Sequence, residues 1–305
     1  YRARIARGQS PYLAVLDDVL KGVDIVAQEP LGLVDIPAES IVGTKTAGRH
    51  TAFASNFMPL LDDDTEFAVK WSNLCDAHLE EGIHTPIIAF EYLNKFYVQE
   101  GNKRVSVLKY YEAVKIPGTV TRLIPAKNDT LENKLYYEFL DFYKLSRINY
   151  VSFSRLGGYA KLQTLACKAT GEAWTDDDRL NFSSLYTMFS QQFYALGGGS
   201  LGLTPGDALL VYLSVYRYSD TYDATPAQVR QNLEKLWNEV KVLTEPHGVE
   251  LSLEPPKSPA EPLLSKLNIF SPSKQPSELR VVFLHEYNAK ISAWVRAHDE
   301  GRDAL

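Results

Sequence analysis

Four consecutive residues, Gly101, Asn102, Lys103 and Arg104, have the types and spacing of an anion site. They follow Phe96-Tyr97-Val98, which reads as a strand, and precede Val105, Val107, Leu108 and Tyr111, spaced as an amphipathic helix. A helix start presents backbone N–H groups with no intrahelical partner and the positive end of the macrodipole, so anions collect there. Gly101 allows the backbone close approach to a ligand, Asn102 is the expected N-cap, and Lys103 and Arg104 add two cations within one turn. The predicted chemistry is binding of a phosphate group. A capped helix start with solvated basic residues is the alternative.

Other groups with chemical potential read more simply as structure. Asp62, Asp63, Asp64 and Glu66 open a helix carrying Phe67, Val69, Trp71, Leu74 and Leu79, and acids in a first turn serve the dipole ahead of any metal. Arg2, Arg4 and Arg7 sit on the solvated face of an expected helical arm, and His50 reads as a loop or cap residue. Cys75 and Cys167 make no C-x-x-C and read as two reduced thiols in a reducing compartment, with one structural disulfide as the alternative.

The 305 residues suit about two domains, and 45% hydrophobic with 23% charged residues is an ordinary soluble globular composition. A net charge of -6 argues against holding nucleic acid by bulk electrostatics. No run approaches the ~20 apolar residues of a membrane span, and YRARIARGQS lacks the apolar core of a signal peptide. Cytoplasmic location is the favoured expectation; because the chain begins without Met, an extracytoplasmic location goes with a missing upstream signal.

The elements around the turn follow from the pattern. A helical arm is expected over 1–28, then short strands at Leu33–Pro37 and Ile41–Gly43, a polar stretch TKTAGRHTAF, and the acidic-capped helix stopping at Gly82. Pro86–Tyr92 reads as a buried strand joined through an Asn94-Lys95 turn to Phe96–Val98, and the helix after Arg104 leads to a further strand, Thr119–Pro125.

That order resembles the N-terminal domain shared by the chromosome-partitioning ParB proteins and the sulfiredoxins. The matching pieces are LVDIPAESIVG, AHLEEGIHTPIIAFEYLNKFYVQEGNKR with its G-x-x-R turn, and IPGTVTRLIP, together covering about residues 31–145. The resemblance implies an α+β fold, a small mixed sheet with helices, in which the turn holds the triphosphate of CTP or ATP with magnesium. It implicates Gly101, Asn102, Lys103 and Arg104, places Glu100 as the candidate acid, and adds Arg49 ahead of the first helix and the pair Glu132-Asn133 near the phosphates. Lys134-Leu135-Tyr136 stands where the family's Arg follows that pair, a departure from its CTP-clamp pattern. Asn102 stands where the sulfiredoxin cysteine would be, so peroxiredoxin repair is not implied.

Residues 146–253 read as an all-helical second domain, with helices at 159–169, 177–196, 205–217 and 226–244 set off by Gly171, Gly197–Gly199, Thr204-Pro205 and Thr225-Pro226. Tyr136, Phe139, Leu140, Phe142 and Tyr143 form an aromatic stripe suited to core packing. Residues 207–237 look like a helix-turn-helix, but Glu234, Glu239 and Glu245 offset its few basic groups, so DNA reading is disfavoured. Residues 254–278 are a Pro-rich linker, and 279–305 resemble the first strand and helix of the basic-membrane-protein (BMP) family of ABC-transporter substrate-binding proteins, through Trp294, His298, Glu300, Gly301 and Arg302. That family holds nucleosides between two lobes and works outside the cytoplasmic membrane. The resemblance implies a truncated β-α unit and a longer protein.

The preferred expectation is a ligand-sensing, nucleotide- or phosphate-binding regulatory module with a small-molecule nucleotide or nucleoside partner. The alternatives are a ParB-fold NTPase or small-molecule kinase using Glu100, a DNA-binding regulator, and a scaffold in which the turn is structural.

Overall fold

A two-residue alternation of apolar side chains builds the sheet: Ile87 and Ala89 are buried while Ile88 is exposed, and Ile116, Gly118 and Val120 share a buried face. The computed structural model describes residues 2–61 and 65–244, which lie within one compact unit of mixed α/β structure. Strands β1 (Ala14–Val15), β2 (Ile25–Pro37), β3 (Ile41–Thr44), β4 (Ile87–Tyr92), β5 (Lys95–Glu100) and β6 (Lys115–Pro125) form one sheet in the order β1-β3-β5-β4-β6-β2. Pairing is parallel at β1/β3, β3/β5 and β4/β6, and antiparallel at β4/β5 and β2/β6.

The helices are α1 (Arg2–Ala6), α2 (Leu16–Val19), α3 (Glu66–Glu80), α4 (Asn102–Tyr110), α5 (Leu131–Ser146), α6 (Gly158–Leu165), α7 (Asp176–Ala195), α8 (Pro205–Val215), α9 (Pro226–Lys235) and α10 (Trp237–Val242). Threonines begin many of them. Thr175, Thr204 and Thr225 each form a reciprocal capping box with the residue three further on, Asp178, Asp207 and Gln228. Among the described residues no helix is long and apolar enough to cross a membrane.

Several expectations need correction. Residues 1–28 are not a helical arm, because Leu13, Val15 and Leu16 are buried in the sheet's cores and β1 pairs with β3. That pairing depends on Gly43, where an added Cβ would lie 2.2 Å from the Ala14 carbonyl oxygen. β2 starts at Ile25 rather than Leu33, because β6 supplies hydrogen-bonding partners along its length. The hairpin turn is Leu93-Asn94, both with positive φ (51° and 60°), so Lys95 already belongs to β5. The helix expected at 226–244 breaks at Leu236, and both pieces bury one side against the helical core through Val229, Leu233, Leu236 and Val240. Asp62, Asp63, Asp64, Glu245, the linker 254–278 and the β-α unit 279–305 lie outside the described residues.

One face of the sheet packs Ile36, Ile87, Ala89, Phe96, Val98, Ile116 and Val120 against Phe53, Phe57, Phe67, Val105 and Leu108. Leu16 covers Tyr92, Tyr97 and Leu123 on the other. The aromatic stripe of α5 is buried in the helical core, as core packing requires.

Lys109, at the end of α4, donates from Nζ to the Ile41 carbonyl at 2.8 Å and lies 5.0 Å from the centre of the Phe57 ring. Burial pushes its pKa down to about 8, opposed by Glu39. The unfolded chain then binds more protons between pH 8 and 10.5, so this group's contribution to stability rises with pH across that window and is flat below it. Urea unfolding is expected to show wild type gaining about 1–2 kcal/mol relative to Lys109→Met between pH 7.5 and 9.5. Parallel curves for the two proteins would contradict it.

Candidate functional site

The β5–α4 junction is built on one backbone requirement. Gly101 has φ 102°, and an added Cβ would meet Ile87 Cγ2 at 2.8 Å, so the turn is closed to other residues on both counts. Gly101 is itself the N-cap, which corrects the expectation that Asn102 caps the helix. Asn102 is the first helical residue, and with a glycine cap no side chain closes the helix start. The N–H groups of Asn102, Lys103 and Arg104 have no hydrogen-bond partner among the described residues.

The side chains divide into those that hold the turn and those that face it. Arg104 turns back, donating from Nη1 to the carbonyls of Thr85 at 2.8 Å and Pro86 at 2.6 Å, and so fixes the start of β4 to α4. These two bonds occupy Nη1, while Nε and Nη2 lie beside Gly101, each 3.1 Å from where a Cβ on that residue would stand. Asn102 Nδ2 reaches Thr44 Oγ1 at 3.4 Å, while its buried Oδ1 has no partner among the described residues. Thr44 Oγ1 itself donates to the Val98 carbonyl, tying β3 to β5.

Lys103 makes no ion pair among the described residues. Its Nζ lies 4.3 Å from the centre of the Phe67 ring, and its pKa is lowered first by burial and then by the positive charges of Arg49 and Lys70. Glu66 is the carboxylate of this group. It pairs with Lys70, which holds its pKa down, with smaller help from Lys103 and Arg49. Among the described residues, the positive charges of Arg49, Lys70 and Lys103 thus all act on one carboxylate, Glu66, close to the start of α4.

Arg49 comes to this group from a 3₁₀ turn, Ala47–Ala52, and is exposed. His50 beside it places Nδ1 2.6 Å from the Ala47 carbonyl, which makes it a loop-closing residue. Glu100 ends β5 opposite Ile88 and is exposed.

The pair Glu132-Asn133 is not at this turn. Glu132 accepts from Lys95 Nζ at 2.8 Å, at the opposite end of β5 from Gly101. A six-residue strand separates them by roughly 17–20 Å. Asn133 is 3% exposed and folds the loop before α5, donating to the Ala126 carbonyl at 3.0 Å and accepting from the Asn128 N–H at 3.0 Å.

Sequence reasoning missed Lys70 and Glu66 as members of the group. Their signal was the i, i+4 spacing at the start of α3, which places both on one helix face. Among the described residues no three His, Cys, Asp or Glu side chains gather as a metal site, and Cys75 and Cys167 are both free. Glu132 and Asn133 lie elsewhere, so neither is placed at the turn to hold a magnesium ion. The chain matches no protein-family model and no curated protein.

Proposed function

We propose that the residues around α4 bind a phosphate-bearing small molecule, a nucleotide foremost, and that this part of the chain is a ligand-sensing module. The observation that carries the reading is the gathering of Arg49, Lys70 and Lys103 about Glu66 at a helix start whose first N–H groups have no described partner. Repulsion among the three cations disfavours the empty state and is relieved by an anion. The order of strands and helices around the turn adds the ParB/sulfiredoxin-like resemblance, for which CTP and ATP are the first ligands to try. No magnesium ligand is assigned to the protein in this reading.

Calorimetric titration of the chain with CTP, ATP, GTP, adenosine and inorganic triphosphate, each with and without magnesium, tests it. Saturable binding of the triphosphates, no binding of adenosine, and a loss of about ten-fold in affinity for Lys103→Gln and for Arg49→Gln are expected, about 1.4 kcal/mol each. Affinity should fall as salt rises. Arg104→Ala is uninformative alone because it also releases Thr85 and Pro86. Silence from all five compounds, or binding untouched by both variants, would leave the turn as structure only.

A further inference from the structure

A cavity of about 220 Å³ between the β2–β6 pair and α5 is lined by Glu29, Arg122, Ile124, Tyr137, Leu140, Tyr143 and Arg147, together with Asp141 and Lys144. Arg122 is the unusual member. Its side chain is 2% exposed, its Nε donates to Glu91, and its two terminal nitrogens have no hydrogen-bond partner among the described residues, Nη2 being fully buried. Nη2 is closed off from the cavity, so Nη1, which also has no partner among the described residues, is the terminal nitrogen that a ligand there would meet.

The other charges define that ligand. Lys144 and Asp141 satisfy each other at 3.0 Å. Arg147 and Glu29 make no ion pair among the described residues, and Glu29 stands directly across from Arg122 in the β2/β6 register. With Arg122 paired to Glu91, Arg147 and Glu29 are the charges left without an ion-pair partner among the described residues at this space, beside the Arg122 guanidinium. Ile124, Leu140 and the rings of Tyr137 and Tyr143 supply apolar wall, and Tyr137 is held in place by its hydroxyl donating to the Pro125 carbonyl at 2.7 Å.

We infer that this cavity binds an α-amino acid with an apolar side chain, its carboxylate on Arg122 and Arg147, its ammonium on Glu29 and its side chain against Ile124, Leu140 and the two tyrosines. The carboxylate supplies an acceptor to Arg122 Nη1 and a counter-charge to Arg147, and the ammonium a counter-charge to Glu29. The site is separate from the β5–α4 turn and stands or falls independently of it.

Calorimetric titration of the whole chain with L-leucine, isocaproate and isoamylamine is the test. The two analogues each keep the apolar body and lose one charged group. Saturable binding of L-leucine is expected, with both analogues weaker by about ten-fold or more. Arg147→Asn, which suits the φ of 58° at that position, and Glu29→Gln should each weaken L-leucine about ten-fold without moving the urea midpoint. Failure of L-leucine to bind, an analogue as tight as L-leucine, or wild-type affinity in both variants would overturn the assignment.

Discussion

Glu91→Ala is expected to remove about 3–5 kcal/mol of stability, a large share of the roughly 5–15 kcal/mol that holds a domain of this kind together. Glu91 and Arg122 are 0% and 1% exposed and pair across the adjacent strands β4 and β6. Glu91 spends both oxygens, accepting from the Asn94 N–H at 2.7 Å on Oε1, and from Arg122 Nε and the Tyr136 hydroxyl on Oε2. The guanidinium lies 4.3 Å from the Tyr143 ring centre and 5.2 Å from that of Phe139. Alanine at position 91 therefore leaves a cation buried among aromatic rings with no counter-charge, and strands the Asn94 N–H and Tyr136 hydroxyl. The double variant Glu91→Leu/Arg122→Met removes both charges and should recover most of the loss, because neither ion then has to be kept out of water.

Arg122→Met alone has a distinguishing pH dependence. Burial pushes the Glu91 carboxyl above its usual 4.5, and removing the guanidinium removes the strongest influence opposing that push. The folded state of the variant then holds its proton more tightly than the unfolded chain, so its deficit relative to wild type grows as pH rises from 4.5 and levels off above the folded pKa. Urea midpoints at pH 4.5 and 7.5 measure this. A single-site loss below about 1 kcal/mol for Glu91→Ala, or no recovery in the double variant, would mean the pair is not the isolated buried network described.

How far the sequence announced these features depended on how local their causes are. The helix starts at Thr204 and Thr225 were legible because cap and N1 proline are adjacent, whereas the box at Thr175, with no proline to mark it, was not read. The α5 stripe was legible because its period belongs to one helix. Gly101 was read correctly as a turn residue, yet the fate of its neighbours was not: Arg104 went to carbonyls 18 and 19 positions away, and Glu132-Asn133 to the far end of β5. The β1–β3 pairing was invisible for the same reason, since two residues carry no period and the partner lies across a fold. Glu91 and Arg122 did leave a signal. Each continues the buried parity of its strand, after Ile87 and Ala89 in one and Ile116 and Val120 in the other, and two opposite charges on one inward face of neighbouring strands must meet.

Asp207→Ala is expected to cost about 3 kcal/mol, well above the ~1 kcal/mol of an ordinary helix cap. Asp207 is 4% exposed and serves two chain segments. Within its own capping box it accepts from the Thr204 N–H at 2.9 Å and lies 2.8 Å from the Thr204 hydroxyl, which in turn accepts from the Asp207 N–H at 3.1 Å. It also accepts from the Ser154 N–H at 3.1 Å, some fifty positions earlier, and so pins the loop between α5 and α6 to the start of α8. That loop carries Phe153, which packs edge-on against Tyr159 at 4.7 Å and would be struck by a Cβ at Gly206 or Gly158. Removing the carboxylate frees two backbone donors in a partly buried place and loosens the seat of an aromatic side chain in the helical core. Thr204→Ala removes the cap together with the hydroxyl's 2.6 Å bond to the Ser152 carbonyl in the same loop but keeps the Ser154 bond, and should cost about 1 kcal/mol, so the difference between the two variants reports the Asp207 carboxylate and its bond to Ser154. Equal losses in urea unfolding would show that the Ser154 bond adds nothing; a deficit for Asp207→Ala about three times the other, with faster amide exchange at Ser154, is the expected outcome.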